Sequence, residues 1–285
     1  MKRLTVRKPP FTFDADTLPY LWQPANPDFS ELCNAISFLA PAFERYLVVL
    51  VQQARSRLRG TAMEQEAEDF LRQEAQHARM HRRHVAALVQ KYPGLAGVQD
   101  QIDQSYAELI EHESLEFNLA YMADIEQTFT PFFGMLLNNE ATLFRGGADP
   151  VASLFVWHFM EEIEHRSSAI GIYDTAVASP WYRVRVLPQV VRHVTGLMKL
   201  TMDALATHVA SADRGAVSGK ATGFGSPAFA SIPRREVAAM LYQLALTQTP
   251  FERPERQPIP DFAADWLDAE ADGADITRFY AKAHR

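Results

Sequence analysis

Apolar residues recur every three or four positions through most of the chain beyond residue 30, which is the spacing of helices that bury one face. Gly60, Pro93, the loop at 138–150 and Pro180 interrupt this pattern, as helix-ending residues do. The pattern predicts four long helices, at about 31–58, 62–91, 103–137 and 151–178. Ser30 is the expected N-cap of the first helix.

The flanking segments are less regular. Residues 1–30 contain five prolines and no sustained periodicity, so we expect an irregular arm on the protein surface. A fifth helix is expected from Trp181 to about Ser211, and a short one at about 234–247. Between these two helices, 212–233 is rich in Gly, Ser and Ala and is interpreted as a flexible linker.

An all-α protein with three parts is therefore expected, since we find no convincing strand pattern. The parts are the arm at 1–30, a four-helix bundle at 31–180, and a C-terminal helical extension at 181–285. Acidic residues punctuate the end of the extension, and we interpret them as a solvated face.

Composition restricts the partners and the compartment. The chain has 285 residues, 47% of them hydrophobic and 22% charged, as in globular proteins. Its net charge of −7 argues against nucleic-acid binding. The single cysteine, Cys33, can form neither an internal disulfide nor a multi-cysteine metal site. With no export signal or transmembrane span apparent, we expect a cytoplasmic protein.

Two Glu-x-x-His pairs carry the candidate chemistry. Glu74 and His77 lie within the second predicted helix, and Glu162 and His165 within the fourth. Residues three positions apart share one helical face. Chance predicts fewer than one such pair in this composition. Four-helix bundles that hold a dinuclear carboxylate centre use two such pairs, with one lone Glu from each of the other two helices.

Position along the helices selects the two lone carboxylates. Glu44 lies within an apolar run of the first helix, and it is about as far before the Gly60 turn as Glu74 is after it. Glu126 and Glu162 each lie 18 residues from a turn near residue 144, whereas Glu116 is ten positions out of step with Glu162. The 49 residues between His77 and Glu126 also allow a crossover connection.

Two further histidines are candidates for the same site. His158 shares a helical face with Glu162 and His165, and we consider it as an additional ligand. His81 follows His77 by one turn and is either a ligand or a group that orients one. Four carboxylates balance the charge of two divalent cations. Their combination with imidazoles suits iron, our first expectation, and also manganese or zinc.

The segments SFLAPAFERYLVVLVQQAR, FLRQEAQHARMHRRH, AYMADIEQTF and WHFMEEIEHRSSAIGIYD resemble the bacterial predicted metal-dependent hydrolases, which are grouped with ferritin-like proteins. The similarity covers about residues 30–190. It implies a ferritin-like bundle and the ligands Glu44, Glu74, His77, Glu126, Glu162 and His165. The spacing of His158, Glu162 and His165 also resembles that of the di-iron p-aminobenzoate N-oxygenases, in which the extra histidine binds iron.

Three functions agree with these features. The first is an O2-activating di-iron oxygenase or oxidase that acts on a small apolar or aromatic substrate and receives electrons from an external donor. Glu74 and Glu162 then bridge the ions, Glu44 and His77 bind one, and Glu126 binds the other with His165 and the candidate His158. The second is a hydrolase in which a metal-bound hydroxide attacks an ester or amide. The third is a non-enzymatic metal-binding or storage bundle. A homodimer is compatible with all three.

Overall fold

Helices account for all the regular secondary structure in the part of the chain described by the computed structural model, residues 3–215, 217–219, 223 and 225–281. No strand occurs among these residues. The α-helices are α1 (Pro27–Leu58), α2 (Glu64–Lys91), α3 (Ala96–His112), α4 (Leu115–Asn138), α5 (Glu140–Leu143), α6 (Asp149–Glu164), α7 (Ser168–Ala176), α8 (Pro180–His208), α9 (Ser211–Arg214), α10 (Arg234–Thr247) and α11 (Phe262–Ala271). The all-helical prediction is confirmed.

Helix α1 begins earlier than predicted. Its N-cap is Asn26, whose side chain accepts a hydrogen bond from the backbone N–H of Phe29 at 3.1 Å. The expected N-cap, Ser30, lies inside the helix, and its hydroxyl accepts a hydrogen bond from the backbone N–H of Gln23 at 2.8 Å. The prediction of Ser30 was therefore wrong, because this hydroxyl anchors the preceding segment.

The third predicted helix is two helices, α3 and α4. Ser114 begins α4 by accepting a hydrogen bond from the backbone N–H of Phe117. The Asn118 amide donates hydrogen bonds to the carbonyls of Leu109 and Glu113, which satisfies backbone groups at the break. Polar side chains thus end one helix and start the next. Glu126 lies within α4, so the break does not alter its predicted place in a helix.

The fourth predicted helix is also divided. Helix α6 ends at Glu164 and α7 begins at Ser168. His165 occupies the C-cap of α6 with φ −99° and ψ 13°, outside helical geometry. One of the two predicted Glu-x-x-His pairs therefore ends on a residue just beyond its helix.

The N-terminal arm is irregular, as predicted, but it belongs to the core. Phe11, Tyr20 and Trp22 are each at most 2% exposed. Trp22 stacks on Phe155 of α6, with ring centroids 5.6 Å apart. The expectation of a surface arm was wrong, because its aromatic side chains alternate with prolines and are buried against the helices.

The C-terminal third packs on the same core. Helix α10 has the predicted bounds, and α8 contacts α1 and α4 along its length. Part of the predicted linker, 216, 220–222 and 224, lies outside the described residues. Elsewhere in that segment Ala228 is buried, and Arg214 pairs with Glu31 at 2.8 Å.

Four helices, α1, α2, α4 and α6, pack around one part of the protein interior. Helix α1 packs against α2 and α4, and α6 packs against α2 and α4. Among the described residues only α1 is long and apolar enough to cross a membrane, and 72% of its most apolar window is buried inside the protein. In this fold α1 is a core helix.

Candidate metal centre

Each of the four helices brings a predicted ligand to one buried region. Helix α1 contributes Glu44, α2 contributes Glu74 and His77, and α4 contributes Glu126. Helix α6 contributes Glu162 and His158, and His165 follows at its end. None of these seven side chains is more than 4% exposed. The residues selected by spacing and position therefore lie together.

Ligating atoms form two groups. Glu44, His77 and His158 each offer an atom, and these atoms lie within 4.8 Å of one another. Glu74, Glu162 and His165 form a second group by the same criterion. Glu126 Oε2 lies 3.7 Å from His165 Nε2, beside the second group.

Glu162 and Glu74 connect the two groups. Glu162 Oε1 lies 2.8 Å from His158 Nε2 and 3.5 Å from His77 Nδ1, while its Oε2 lies 2.9 Å from His165 Nε2. Glu74 Oε1 lies 3.2 Å from His165 Nε2 and 3.7 Å from His77 Nδ1. Both carboxylates lie between the histidines of the two groups, which is the placement that bridging ligands need.

His158 belongs to a different group from the one expected. We placed it with Glu126 and His165, but it lies with Glu44 and His77, and its Nε2 is 3.5 Å from Glu44 Oε1. Distance along the helix explains this correction. His158 and His165 lie seven positions apart, which is about 10 Å along a helix axis, and each contacts a different oxygen of Glu162.

Outer hydrogen bonds orient the ligand histidines. His77 Nε2 lies 2.9 Å from Glu161 Oε2, so its Nδ1 faces the site. His165 Nδ1 lies 3.1 Å from Gln73 Oε1, so its Nε2 faces Glu162. In each case an oxygen acceptor keeps the proton on the outer nitrogen and leaves the inner lone pair available to a cation.

His158 is held by a longer chain of buried polar groups. Its Nδ1 lies 2.8 Å from His81 Nε2, and His81 Nδ1 lies 2.8 Å from the Ser37 hydroxyl. The same hydroxyl lies 2.8 Å from His84 Nδ1. His81 is outside both groups of candidate ligands. Of its two predicted roles, the structure therefore favours orienting His158 over direct ligation.

Burial of His84 leads to a pH prediction. The ring contacts the Ser37 hydroxyl and the rings of Phe13 and Phe155, and burial lowers the pKa of His84 to about 3. In the unfolded chain the pKa of a histidine is about 6.5. Between these values the unfolded state binds the additional proton. This histidine should therefore cost up to about 1.4 kcal/mol of folding stability for each pH unit lost below 6.5.

The variant His84→Asn tests this contribution. Urea unfolding of wild type and variant at pH 7, 6 and 5 should give a shallower loss of unfolding free energy for the variant. Equal slopes for the two proteins would contradict the prediction, whatever their stabilities at pH 7.

An arginine from the N-terminal arm supports the outer side of the site. Arg7 is 8% exposed and donates to Glu161 Oε1 at 3.0 Å, to both Glu164 oxygens at 2.8 Å, and to Glu270 of α11. Its guanidinium also lies 5.0 Å from the Trp266 ring. The interpretation of the acidic C-terminal end as a solvated face is wrong for Glu270. Arg7 neutralises the charge of Glu161, and Glu161 in turn orients His77.

Replacement of Arg7 should therefore weaken metal binding. In Arg7→Met, the buried Glu161 loses the cation that holds it in place, so it no longer fixes the orientation of the His77 ring, and we expect metal affinity to fall about tenfold. Competition with a chromogenic chelator measures this. Arg3→Met is the matched control, because Arg3 lies in the same arm, is 71% exposed and pairs with Asp69, away from the candidate ligands. Equal losses in the two variants would show that Arg7 has no specific role.

The carboxylates are far from their ordinary protonation behaviour. Burial raises the pKa of Glu44 to about 8 and raises the pKa values of Glu74 and Glu126 well above the usual range, with neighbouring carboxylates adding to the effect. Burial also acts on Glu162, but the charge of His165 and hydrogen bonds from His158 and His165 hold its pKa well below normal. Without added positive charge, most of this cluster cannot stay ionised.

Buried ligand atoms without hydrogen-bond partners indicate whether the cluster suits cations. Both oxygens of Glu44, both oxygens of Glu74, Glu126 Oε1 and His77 Nδ1 are buried without a hydrogen-bond partner. A buried polar group without a partner is unfavourable. Carboxylate oxygens and imidazole nitrogens are ligands for iron, manganese and zinc. The donor set therefore fits divalent cations.

These features define an all-helical protein with a buried carboxylate and histidine cluster suited to metal. A family model described as "Predicted metal-dependent hydrolase" matches residues 5–244. The chain therefore belongs to this family and is a metal-dependent enzyme. Neither the curated proteins nor the solved structures include a match.

Proposed function

We propose that the protein is a hydrolase that uses two divalent cations in the core of a ferritin-like four-helix bundle. The two Glu and His groups, with Glu162 directed at both, carry this proposal. Family membership favours hydrolysis over the oxygenase that the sequence first suggested.

In this proposal each cation is held by its own group of side chains. Glu44, His77 and His158 hold one, and Glu126 and His165 hold the other. Glu74 and Glu162 contribute to both. When bound, two such cations polarise a carbonyl and lower the pKa of water. Iron remains our first expectation for the metal, with manganese and zinc as alternatives. Anomalous scattering at the three absorption edges distinguishes them.

Glu126 is the carboxylate that we assign to proton transfer. Only its Oε2 approaches a histidine, His165 at 3.7 Å, and its Oε1 has no hydrogen-bond partner. Hydrolysis requires a base that takes a proton from water and returns it to the leaving group. A carboxylate with one oxygen free of partners can do both.

The surroundings favour a small substrate with apolar parts. Phe133 stacks on Phe159 with centroids 3.9 Å apart, and Phe133 lies 6.2 Å from His158. Trp157 meets the His77 ring edge-on at 5.0 Å. These rings limit water near the cluster, which strengthens its electrostatic interactions.

Chelation and metal replacement test the proposal. A panel of aryl esters and amides should be hydrolysed by the metal-loaded enzyme and not after chelation, and Zn²⁺ should restore the activity without O2. Glu126→Gln keeps one oxygen that can bind the cation but no longer accepts a proton, so it should retain metal and lose turnover, which separates its assigned role from folding. Hydrolysis that survives chelation would contradict the proposal.

Oxygen activation is a second candidate, favoured by one observation. His158 places a third imidazole in a cluster that is otherwise rich in carboxylate and contains no thiolate. Such a set suits iron. The test is O2 uptake by the Fe²⁺-loaded protein with a chemical reductant. Uptake with no hydrolysis in any metal form would favour this candidate over the first.

A further inference from the structure

A cavity lies away from the candidate ligands. Its volume is about 1090 Å³, and it is lined by residues of α4, α5, α10 and α11 and by residues near Tyr280. This size accommodates a small organic molecule. None of the proposed metal ligands lines it. Thr130, on its wall, follows Glu126 by one turn of α4, or about 6 Å along the helix axis.

The wall of this cavity contains buried polar atoms without partners. They are Thr130 Oγ1, Glu140 Oε1, Gln257 Nε2 and the Tyr280 hydroxyl, and the four residues are 3–7% exposed. Burial and the nearby Glu140 carboxylate raise the pKa of Tyr280, yet the two side chains do not meet with hydrogen-bond geometry. Four unsatisfied groups on residues that line one cavity indicate that a ligand completes them.

The charge of the wall indicates the kind of ligand. Glu140, Glu236, Asp261 and Asp265 line the cavity, against one guanidinium, that of Arg145. Arg145 is already paired with Glu140 Oε2 at 3.2 Å, which leaves Glu140 Oε1 directed elsewhere. Much of the remaining wall is apolar, including Met135, Met240, Phe262 and Phe279. The excess negative charge attracts a cation, and the apolar wall suits a hydrocarbon body.

We propose that this cavity binds a small organic cation, a protonated amine on an apolar body. The ammonium group donates to Glu140 Oε1, and Asp265 adds attraction from the rim. Thr130, Gln257 and Tyr280 bind a second polar group. Gln257, Asp265 and Tyr280 follow residue 244, where the family match ends. The site is therefore built partly from a segment beyond the shared region, and its proposed role does not depend on the reaction at the metal centre.

Calorimetric titration of the full-length protein with three matched probes tests the proposal. Phenethylamine should bind saturably, about tenfold more tightly than 2-phenylethanol, because a hydrogen bond to a charged group is stronger than a neutral one. The anion 3-phenylpropionate should bind more weakly still. Equal binding of the three probes, or no saturable binding of the amine, would overturn the proposal.

Two variants of α11 locate the binding site. Asp265→Asn should weaken phenethylamine binding by about threefold, as expected for an exposed charge. Asp268→Asn on the same helix should leave it unchanged, since Asp268 is equally exposed but does not line the cavity. Both sites are on the surface, so folding should be unaffected. Equal affinities for Asp265→Asn and wild type would place the amine elsewhere.

Glu140→Gln and chelation complete the test. Glu140→Gln should reduce affinity about tenfold, with circular dichroism confirming that the variant is folded. Chelated and metal-loaded protein should bind phenethylamine equally. Binding that disappears on chelation would mean that the amine ligates the metal directly, and the assignment to this cavity would be wrong.

Discussion

Glu162→Gln is expected to lose both metal ions and all metal-dependent activity. Glu162 is the only carboxylate within 3.5 Å of His77, His158 and His165 among the described residues. In the proposed centre Glu162 holds both cations. Replacing it removes a negative charge and a bidentate ligand, so the binding of both cations is weakened together. Plasma mass spectrometry of dialysed protein should find about two ions per chain in wild type and about none in the variant.

Glu116 on α4 provides the control for metal content. It is 41% exposed and pairs with Arg57, away from the candidate centre. Glu116→Gln should keep two ions per chain. If Glu162→Gln also kept two ions, the proposed arrangement of ligands would be wrong, although the helices could still be correctly placed.

Arg183→Met should destabilise the protein by about 3–5 kcal/mol, the usual cost of leaving one member of a buried ion pair without its partner. Arg183 is 2% exposed and donates to Asp124 Oδ1 at 2.7 Å and to the carbonyls of Thr247 and Thr249. It thereby joins α8 to α4 and to the end of α10. Urea unfolding of the chelated proteins measures the loss without a contribution from metal binding.

The double variant Arg183→Met/Asp124→Leu distinguishes charge from packing. Burial raises the pKa of Asp124 to about 7 despite the opposing influence of Arg183, so this carboxylate becomes the main cost once the arginine is removed. Removing both charges should recover a large part of the stability. A double variant no more stable than Arg183→Met would assign the loss to packing and to the two carbonyls instead.

Local rules located much of the candidate centre. The i, i+3 spacing placed Glu74 beside His77, and distance from a turn selected Glu126 over Glu116. Both inferences require only that helices keep a constant rise and that neighbours are antiparallel. The structure brings these side chains together, while their role as ligands remains a prediction that the metal measurements above test.

The helix breaks could not be read from periodicity. At 113–114 the apolar rhythm continues across the break, and Ser114 and Asn118 decide the outcome through side-chain hydrogen bonds to the backbone. The grouping of His158 was missed for a different reason. A shared helical face does not decide which group a side chain joins when two histidines lie seven positions apart, on either side of Glu162.

Contacts between segments far apart in the sequence could also not be predicted. Glu161 is adjacent to a predicted ligand, so a supporting role could be anticipated for it. Its partner Arg7 could not be, because it lies 154 positions away in a segment without periodicity. Packing of the arm and of α11 depends on the assembled surface of the helices, which no local pattern encodes.

Arg7 also affects the order of events during synthesis. It precedes Glu270 by 263 positions, so it leaves the ribosome long before that partner exists. Until translation reaches α11, its guanidinium lacks the contact with Glu270. The outer support of His77 is therefore completed late, and nascent chains stalled before residue 270 should retain metal less well than released protein.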